Sequence, residues 1–373
     1  MKKQRTCLII NTGVLKSNIR EIRKHLAKSV DIMAVVKADA YGHGATEICK
    51  CLSDEIEYFG VASIEEAIAL REASINNPIL ILSYTMKSNY EELLAYDIEQ
   101  TIYSLEDAVC LNRVSEAMGK KAVIHIAVDT GMGRIGFMPT KESIEQVEKI
   151  SALPNIVLKG IFTHFATADE EDKAYTQEQA KKFLRVVELL EHKEIQIEKK
   201  HMCNSAGIID FQLHCNNMVR AGIILYGLYP SINVNMNKIK LLPVLEWKAH
   251  VVHIKEVPQG TSISYGRTYI TTKDKNKIAT INVGYGDGYP RALSNKGRVL
   301  IRGKSVPIIG RICIEQFMVD VSNLEKVEIE DVVTLIGSDG EEYISVEEVA
   351  ELAGSFNYEF VCDIGKRVPR MYI

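Results

Sequence analysis

Lys37 has the clearest capacity for covalent chemistry in this sequence. It follows the apolar run 32–36 and precedes a Gly42-His43-Gly44 turn, after which residues 45–53 have the apolar spacing of a helix. The run predicts a buried strand, so the lysine lies at the mouth of a strand–turn–helix unit, close to Tyr41. A poorly solvated lysine amine loses its proton more easily near neutral pH and can then form a Schiff base with an aldehyde. The alternative interpretation is an exposed surface lysine in front of a loop.

Strand-like and helical patterns alternate through roughly the first 240 residues. The predicted strands are 32–36, 58–62, 78–82, 100–103, 122–128, 156–163, 200–203 and 218–226. The predicted helices are 45–53, 64–73, 91–95, 106–118, 141–151, 176–192 and 206–211. Eight such units predict an α/β fold, a (β/α)8 TIM barrel. A doubly wound open sheet is the alternative, but it normally has fewer strands, and no Gly-x-Gly-x-x-Gly follows the first strand.

In a (β/α)8 barrel, the chemistry lies at the carboxyl ends of the strands. Any one polar residue at such a position can be explained as a helix N-cap, and Ser63, Ser104 and Ser205 each precede a helical pattern. A lysine, a histidine and an arginine on different strands together predict a functional site instead. The residues at the predicted strand ends are Lys37, Ser63, Ser83, Tyr103, Asp129, His164, Asn204-Ser205 and Arg220-Ala221-Gly222.

After Gly227 the periodicity changes to that of a mostly β domain. Only residues 346–353 have a helical pattern there. We therefore predict two domains, a (β/α)8 barrel over residues 1–235 and a mostly β domain over residues 236–373, joined by the polar stretch 231–240. The strand-like segments of the second domain are 247–257, 262–272, 277–283, 298–301, 305–322, 331–336 and 358–362.

The composition excludes several classes of partner. The chain has 373 residues, of which 46% are hydrophobic. Its formal net charge of −4 argues against nucleic acid or an anionic membrane as partner. No apolar stretch approaches the ~20 residues of a membrane span, and residues 1–11 lack a signal-peptide core. We expect reduced thiols in a cytoplasmic protein rather than a structural zinc site, because no two cysteines form a Cys-x-x-Cys pair. The eight cysteines are Cys7, Cys49, Cys51, Cys110, Cys203, Cys215, Cys313 and Cys362.

Six short motifs resemble those of the alanine racemase family, the fold type III enzymes that use pyridoxal 5′-phosphate. They occur in the family's order over essentially the whole chain, and the resemblance implies a barrel followed by a β domain. The matching segments are Val-Lys-Ala-Asp-Ala-Tyr-Gly-His-Gly at 36–44, Asp-Thr-Gly-Met-Gly-Arg-Ile-Gly at 129–136, Thr-His-Phe-Ala at 163–166, Val-Arg-Ala-Gly at 219–222, Ser-Tyr-Gly at 264–266 and Gly-Tyr-Gly-Asp-Gly at 284–288.

The resemblance implies which residues bind the cofactor. Lys37 would hold pyridoxal 5′-phosphate covalently, and Arg220 would face its pyridine nitrogen. A guanidinium does not give up its proton, so the ring nitrogen would stay unprotonated and the ring would be a weaker electron sink. Clean racemisation would then be favoured over side reactions. The residues implied at the phosphate are Tyr41, Asn204, Ser205, Gly222, Ile223 and Tyr358.

The resemblance also implies two proton-handling groups on opposite faces of the substrate, Lys37 and Tyr265. Their ordinary pKa values lie near ~10.4 and ~10, so both need help to act as bases, which His164 and Arg220 would supply to Tyr265. Tyr265 would enter the site of a second subunit, so that a homodimer would carry two composite active sites. Arg134 would point to the substrate carboxylate or to the phenolic oxygen of the cofactor. The residues implied at a small amino-acid substrate are Arg134, Ile314, Tyr265 and Tyr285.

Two positions depart from the family pattern. Ile314-Glu315 stands where Met-Asp is usual, and Ala127 stands where many members have a lysine that supports Arg134. The main-chain N–H of Ile314 can still bind a carboxylate, and an anion such as chloride could support Arg134. The sequence therefore predicts a racemase of L- and D-alanine, an isomerase for D-alanine biosynthesis. The nearest alternative is a racemase of the same family that acts on serine or another amino acid.

Two alternatives come from other classes. A non-catalytic barrel that binds pyridoxal phosphate would lack the second β domain and the Tyr265 motif. A metal-dependent barrel hydrolase would use His125, His164 and His201, but these histidines lack a closely spaced ligand motif.

Overall fold

The computed structural model describes residues 4–211 and 217–373. These residues form two compact units. The barrel unit comprises Val14–Ala40 and Ala45–Leu242, and the β unit comprises Pro243–Ile373, Tyr41–Gly44 and the described part of Met1–Gly13. The β unit thus takes in two segments from early in the chain, whereas the sequence suggests a single boundary between residues 235 and 236. That boundary stays a prediction.

Eight parallel strands form the sheet of the barrel unit. Each strand pairs with the next along the chain as far as the seventh, and the eighth pairs with the first. Main-chain hydrogen bonds from Asn217 to Lys200 (3.2 Å) and from Arg220 to Cys203 (2.9 Å) link the last two strands. The predicted TIM-like barrel is confirmed. In chain order, barrel strands 1–8 are Asp31–Val35, Tyr58–Val61, Ile79–Ile81, Glu99–Ile102, Ala122–Ala127, Ile156–Phe162, Lys199–His201 and Met218–Ala221.

Most of these strands are continuous apolar runs because a parallel sheet is covered on both faces. Barrel strand 3, for example, is buried at each of its three residues. The predicted strands agree with the structure to within a few residues, except that the eighth ends at Ala221 and continues into a 3-10 helix, Ile223–Tyr226.

The helices before Pro243 follow the predicted order, with one more at the amino terminus. The hydroxyls of Ser63 and Ser104 cap their helices by accepting the N–H groups of Glu66 (3.4 Å) and Asp107 (3.3 Å). No helix in residues 4–211 or 217–373 is both long and apolar enough to cross a membrane. The helices are Thr12–His25, Ala45–Leu52, Ile64–Glu72, Tyr90–Ala95, Leu105–Met118, Lys141–Ser151, Ala174–His192 and Ser205–Asp210.

The β unit is built on a long strand, Leu245–Pro258. Its first half pairs with Val332–Asp339 and its second half with Lys275–Ile281. Pairing then continues through three further strands back to Val332–Asp339, so the sheet closes on itself. The other strands of the unit are Cys7–Ile10, Ser262–Ile263, Tyr269–Ile270, Arg298–Ile301, Lys304–Ile309, Phe317–Asp320, Glu342–Ile344 and Arg370–Tyr372.

The predicted strand segments 262–272 and 305–322 are each divided into two shorter strands, and one element of the β unit was predicted wrongly. Residues 358–362 were expected to be a strand, but they lie in a helix, Asn357–Asp363. Its buried residues are Asn357, Phe360 and Val361, which is the i, i+3, i+4 spacing of a helical face. The aromatic and β-branched content suggested a strand, whereas the spacing of the buried residues decides for a helix. The predicted helix 346–353 is confirmed as Val346–Ala353.

Candidate active site

Lys37 begins a tight turn of unusual handedness after barrel strand 1. Residues 38–40 have φ of 52–54° and ψ of 48–50°, and Tyr41 has φ of 52°. These values lie in the left-handed helical region, which L-residues adopt singly rather than in succession, at a cost of about 1–2 kcal/mol each. Four such residues in a row are therefore a strained segment placed directly beside the candidate lysine.

Side-chain carboxylates hold this turn in place within the barrel unit. Glu66 accepts the main-chain N–H of Ala38 (2.6 Å), and Asp39 accepts that of Ala45 (2.8 Å). The carbonyl of Val36 accepts the N–H of Ala40 at 2.8 Å. These bonds anchor the main chain that follows Lys37, so the direction in which its side chain leaves the strand is set by the fold.

Arg220 is buried at the carboxyl end of barrel strand 8, with 4% exposure. Its Nη1 donates to His201 Nδ1 (2.9 Å) and to the His201 carbonyl (2.9 Å). Its Nη2 donates to the carbonyls of Thr163 (2.7 Å) and Met202 (3.0 Å). Nε is the one guanidinium nitrogen with no acceptor in the described part of the chain. Burial lowers the pKa of Arg220 to about 10, so the group stays charged at neutral pH.

His164 follows barrel strand 6, and its Nδ1 lies 3.5 Å from Nη2 of Arg220. Burial lowers the pKa of His164 well below its usual value, and the charges of Arg220, Arg134 and Lys37 lower it further. The imidazole is therefore neutral at pH 7. The same effect indicates that Arg220, Arg134 and Lys37 all lie within electrostatic reach of His164.

Asn204, Ser205, Gly222 and Ile223 form a second group in the barrel unit. The hydroxyl of Ser205 accepts the N–H of Gly222 (3.0 Å), which joins the start of the helix Ser205–Asp210 to the start of the 3-10 helix Ile223–Tyr226. Asn204, not Ser205, is the N-cap, because its Oδ1 accepts the N–H of Gly207 (3.0 Å). Two helix starts leave main-chain N–H groups without intrahelical partners, and such groups suit an anion.

The β unit brings three other predicted residues to one surface. The N–H of Gly286, beside Tyr285, donates to the carbonyl of Ile314 (2.9 Å). The hydroxyl of Ser264, beside Tyr265, donates to the carbonyl of Arg311 (2.5 Å), three residues before Ile314. Tyr265 is 69% exposed, Ile314 52% and Tyr285 44%. Each of these large side chains therefore leaves much of its surface in contact with solvent.

Tyr41 and Tyr358 also lie together in the β unit. Their ring centroids are 6.1 Å apart, in a tilted arrangement. Tyr41 is buried, and burial, with a smaller effect from Cys362, raises its pKa. Its hydroxyl is therefore a neutral hydrogen-bonding group at pH 7.

The structure shows which residues surround Glu315 and Ala127, the two departures from the family pattern. Glu315 is paired with Arg367, through Nη1 (3.0 Å) and Nη2 (2.5 Å), and with Arg5 at 3.5 Å. Ala127 is buried at the end of barrel strand 5. Within residues 4–211 and 217–373, no carboxylate forms an ion pair with Arg134.

Comparison with known proteins decides the family. The model of the alanine racemase N-terminal domain matches residues 10–230, and that of the alanine racemase C-terminal domain matches residues 244–372. The chain belongs to the alanine racemase family.

Its relatives in the alanine racemase family match almost throughout. The alanine racemase of Methanococcus maripaludis is 48% identical over 98% of this chain and 97% of its own length. The solved structure of alanine racemase from Clostridium difficile 630 has a TM-score of 0.96 and 41% identity, covering 100% of this chain and 97% of that one. Alanine racemase from Bacillus anthracis, solved with bound L-Ala-P, has a TM-score of 0.93 and 36% identity, covering 99% and 95%.

Membership of the alanine racemase family, with both domains matched, removes the alternative of a non-catalytic barrel. The metal-dependent alternative also fails, for a chemical reason. His125 and His201 are bonded to each other (2.9 Å), to Glu99 and to Arg220, so their ring nitrogens are already engaged. A permanently charged guanidinium beside them also opposes a second cation.

Sequence reasoning missed the environment of Arg220. The carbonyls of Thr163 and Met202 belong to the main chain, so the residue types at these two positions do not indicate that they bind Arg220. His201, in contrast, was visible as a polar residue in a predicted strand and was interpreted only as a possible metal ligand.

Proposed function

We propose that this chain is an isomerase that interconverts L- and D-alanine with bound pyridoxal 5′-phosphate. The observation that carries the proposal is the setting of Arg220. Its guanidinium is charged, buried and held by main-chain carbonyls and His201, with Nε left as a donor. A permanently protonated donor suits a ring nitrogen that must accept a hydrogen bond without being protonated.

The residues of the barrel unit fit this cofactor. Lys37 offers an amine for the aldehyde. The helix starts at Ser205 and Ile223, joined through Gly222, offer N–H and O–H donors for the phosphate. Asn204 fixes the first of these helix starts. In the β unit, the paired rings of Tyr41 and Tyr358 carry hydroxyls of the kind that binds a phosphate oxygen.

When bound, the cofactor supplies a conjugated ring that delocalises the electron pair left on Cα after its proton is removed. The remaining chemistry is proton movement by side chains. The Lys37 amine would take or return the Cα proton on one face. The Tyr265 phenol would do so on the other face. Neutral His164 faces Arg220 with Nδ1 as acceptor, so its proton is on Nε2, and this N–H would donate a hydrogen bond to the phenol oxygen and help it to lose its proton.

We infer that Tyr265 acts in the site of a second copy of the chain, so that a homodimer carries two composite sites. The support is exposure. Tyr265, Tyr285 and Ile314 are large side chains that one chain leaves in solvent on a common surface. Such side chains are typical of a surface that a partner covers.

We infer that the substrate is small and is held by its carboxylate. Arg134 offers a charge for it, and the main-chain N–H of Ile314 has no acceptor in the described residues. Tyr285 would narrow the opening, which suits the methyl group of alanine. Glu315 faces Arg367 and Arg5, which gives no reason to expect a serine-specific contact. An anion such as chloride would support Arg134 where Ala127 replaces the family's lysine.

We also infer that the protein works in the cytoplasm. No disulfide joins any two cysteines of the described residues, as expected of a reducing compartment, and Cys215 lies outside those residues.

The test is direct. The purified chain, loaded with pyridoxal 5′-phosphate, is incubated with L-alanine, and D-alanine is measured by chiral chromatography. Initial rates with D-alanine, D-serine and a basic D-amino acid rank the substrates. The Lys37→Ala variant is the control, since it lacks the amine and should lose both racemisation and the covalently bound cofactor. Faster turnover of serine, or no D-alanine from the unaltered chain, would contradict the proposal.

A further inference from the structure

A chain of polar side chains crosses the interior of the barrel unit. Glu99 is the first residue of barrel strand 4, at the amino-terminal end of the barrel, and is 6% exposed. Its Oε2 lies 3.0 Å from His125 Nε2. His125 Nδ1 lies 2.9 Å from His201 Nε2, and His201 Nδ1 lies 2.9 Å from Arg220 Nη1. The carboxylate is thus connected through two imidazoles to the guanidinium at the opposite end of the strands.

The direction of every hydrogen bond in this chain follows from its ends. A guanidinium has no acceptor, so His201 Nδ1 must accept from Arg220 and His201 must carry its proton on Nε2. That proton is donated to Nδ1 of His125, which leaves the proton of His125 on Nε2, facing Glu99. An ionised carboxylate only accepts hydrogen bonds, so Glu99 requires a proton on Nε2 of His125, the same tautomer that Arg220 requires through His201. Both imidazoles are neutral, each in one defined tautomer.

The surrounding residues hold the chain in place. Gly160 leaves the space for His125, since a Cβ there would lie 2.1 Å from its Nδ1. Phe162 stacks on the His201 ring, with centroids 4.9 Å apart. Lys159 donates to Oε1 of Glu99 (2.8 Å) and lies 5.1 Å from the centroid of the Tyr58 ring. Glu99 therefore has one oxygen for Lys159 and the other for His125.

We propose that Glu99 is a positioning residue for Arg220, acting through His125 and His201. Without an acceptor at position 99, the tautomers are fixed from the Arg220 end alone, and the buried Nε2–H of His125 loses its acceptor, a cost that the reversed tautomers would relieve. In the reversed tautomers, an N–H of His201 would face an N–H of Arg220, and the guanidinium would shift away from its present setting. This role rests on the proposed function, because it matters for catalysis only if Arg220 faces the ring of the cofactor.

The experiment is nitrogen NMR of the full-length protein with isotope-labelled imidazole rings, with and without pyridoxal 5′-phosphate. His125→Asn and His201→Asn variants assign the signals. In the unaltered protein, both residues should carry their proton on Nε2. Glu99→Gln and Glu99→Met should change the tautomer or broaden the signals of His201, two hydrogen bonds away. Lys159→Gln is the matched control, since it keeps a donor to Glu99 and should leave both tautomers unchanged.

The loaded enzyme gives a second readout. Glu99→Gln should lower kcat by about 10- to 100-fold with a smaller change in KM, because Arg220 would face the cofactor and not the substrate. A proton on Nδ1 of His201 in the unaltered protein overturns the proposal, as does an unchanged His201 signal in both Glu99 variants. The NMR result does not depend on racemisation. Inactivity towards alanine with the expected tautomers would therefore refute the proposed function and leave the hydrogen-bond chain standing.

Discussion

Both oxygens of the Glu315 carboxylate are bonded to the guanidinium of Arg367. The same guanidinium donates through Nε to Asp287 (2.7 Å). The two acidic residues differ in burial, since the side chain of Asp287 is 0% exposed and that of Glu315 is 54% exposed. Glu315, the residue that departs from the family pattern, is thus an exposed ion-pair partner.

We expect Glu315→Gln to leave the unfolding midpoint and the KM for alanine nearly unchanged, because an exposed ion pair contributes little. Asp287 also forms an ion pair with Arg5. Asp287→Asn should destabilise by about 2–3 kcal/mol, because it leaves Arg367 and Arg5 without their buried partner. Urea unfolding and initial-rate kinetics of the two variants side by side provide the measurement. A large rise in KM for Glu315→Gln alone would mean that the carboxylate contributes to substrate binding after all.

Stability should fall as the pH drops below the ordinary pKa of histidine. Burial first, and neighbouring positive charges next, lower the pKa of His164 and of His201 in the folded state. The unfolded chain takes up these protons near pH ~6.5, whereas the folded chain does not. Each histidine therefore stabilises the fold above that pH and loses its contribution as the pH falls towards the folded-state pKa, by up to about 1.4 kcal/mol per pH unit. Urea midpoints of the cofactor-free protein at pH 7.5, 6.5 and 5.5 should show this slope. His164→Asn should reduce the slope, and an identical slope in that variant would contradict the assignment.

Much of the barrel could be predicted from the sequence, because parallel strands covered on both faces are apolar runs with little ambiguity. Barrel strand 3, which is buried at each residue, is an example. The helix Lys141–Ser151 also has the bounds that its apolar spacing predicts. The candidate site could be predicted only residue by residue, from the resemblance of short motifs. Those motifs identify Arg220 as a site residue, but they do not predict the main-chain carbonyls that bind its guanidinium.

Other features have no local signal in the sequence. The left-handed turn at residues 38–41 consists of Ala, Asp, Ala and Tyr, which are not types that favour positive φ as a group. Its conformation comes from tertiary hydrogen bonds such as that from Ala38 to Glu66. Glu99 is separated by 26 residues from the histidine it bonds, so only the closed barrel shows their relation.

The left-handed turn predicts an unusual effect of glycine. Ala38 is exposed, with φ of 52°, so Ala38→Gly removes strain without removing packing. Relief of the positive-φ cost, offset in part by the greater freedom of glycine in the unfolded chain, should raise stability by about 0.5–1 kcal/mol. Ala38→Val should lower stability, because a β-branched residue suits this region worst. Thermal unfolding compares the three proteins, and a destabilised Ala38→Gly would show that the turn is not strained.

Ser205 should contribute to cofactor affinity. Its hydroxyl accepts the N–H of Gly222 at 3.0 Å in a buried position, and it would donate to a phosphate oxygen. Ser205→Ala should raise the dissociation constant of pyridoxal 5′-phosphate about tenfold, corresponding to roughly 1.4 kcal/mol. Absorbance titration of the cofactor-free protein measures this, with inorganic phosphate as competitor. Ser104→Ala is the control, since it loses a cap worth about 1 kcal/mol on a different helix, Leu105–Met118. This variant should bind the cofactor normally.

Tyr265→Phe should distinguish the contribution of Tyr265 to proton transfer at Cα from that of Lys37. Racemisation must fall in both directions together, because one equilibrium constant governs both. The exchange of the Cα proton with solvent should not fall equally. Removing the phenol should slow proton removal from one enantiomer by about 10²–10⁴-fold, while the other enantiomer still exchanges through Lys37 without inversion. Proton NMR of L- and D-alanine incubated separately in deuterium oxide measures each exchange rate. Tyr343→Phe, which alters another exposed tyrosine of the β unit, should leave both rates unchanged. Equal slowing of the two exchanges by Tyr265→Phe would contradict two opposed bases and leave a single group serving both faces.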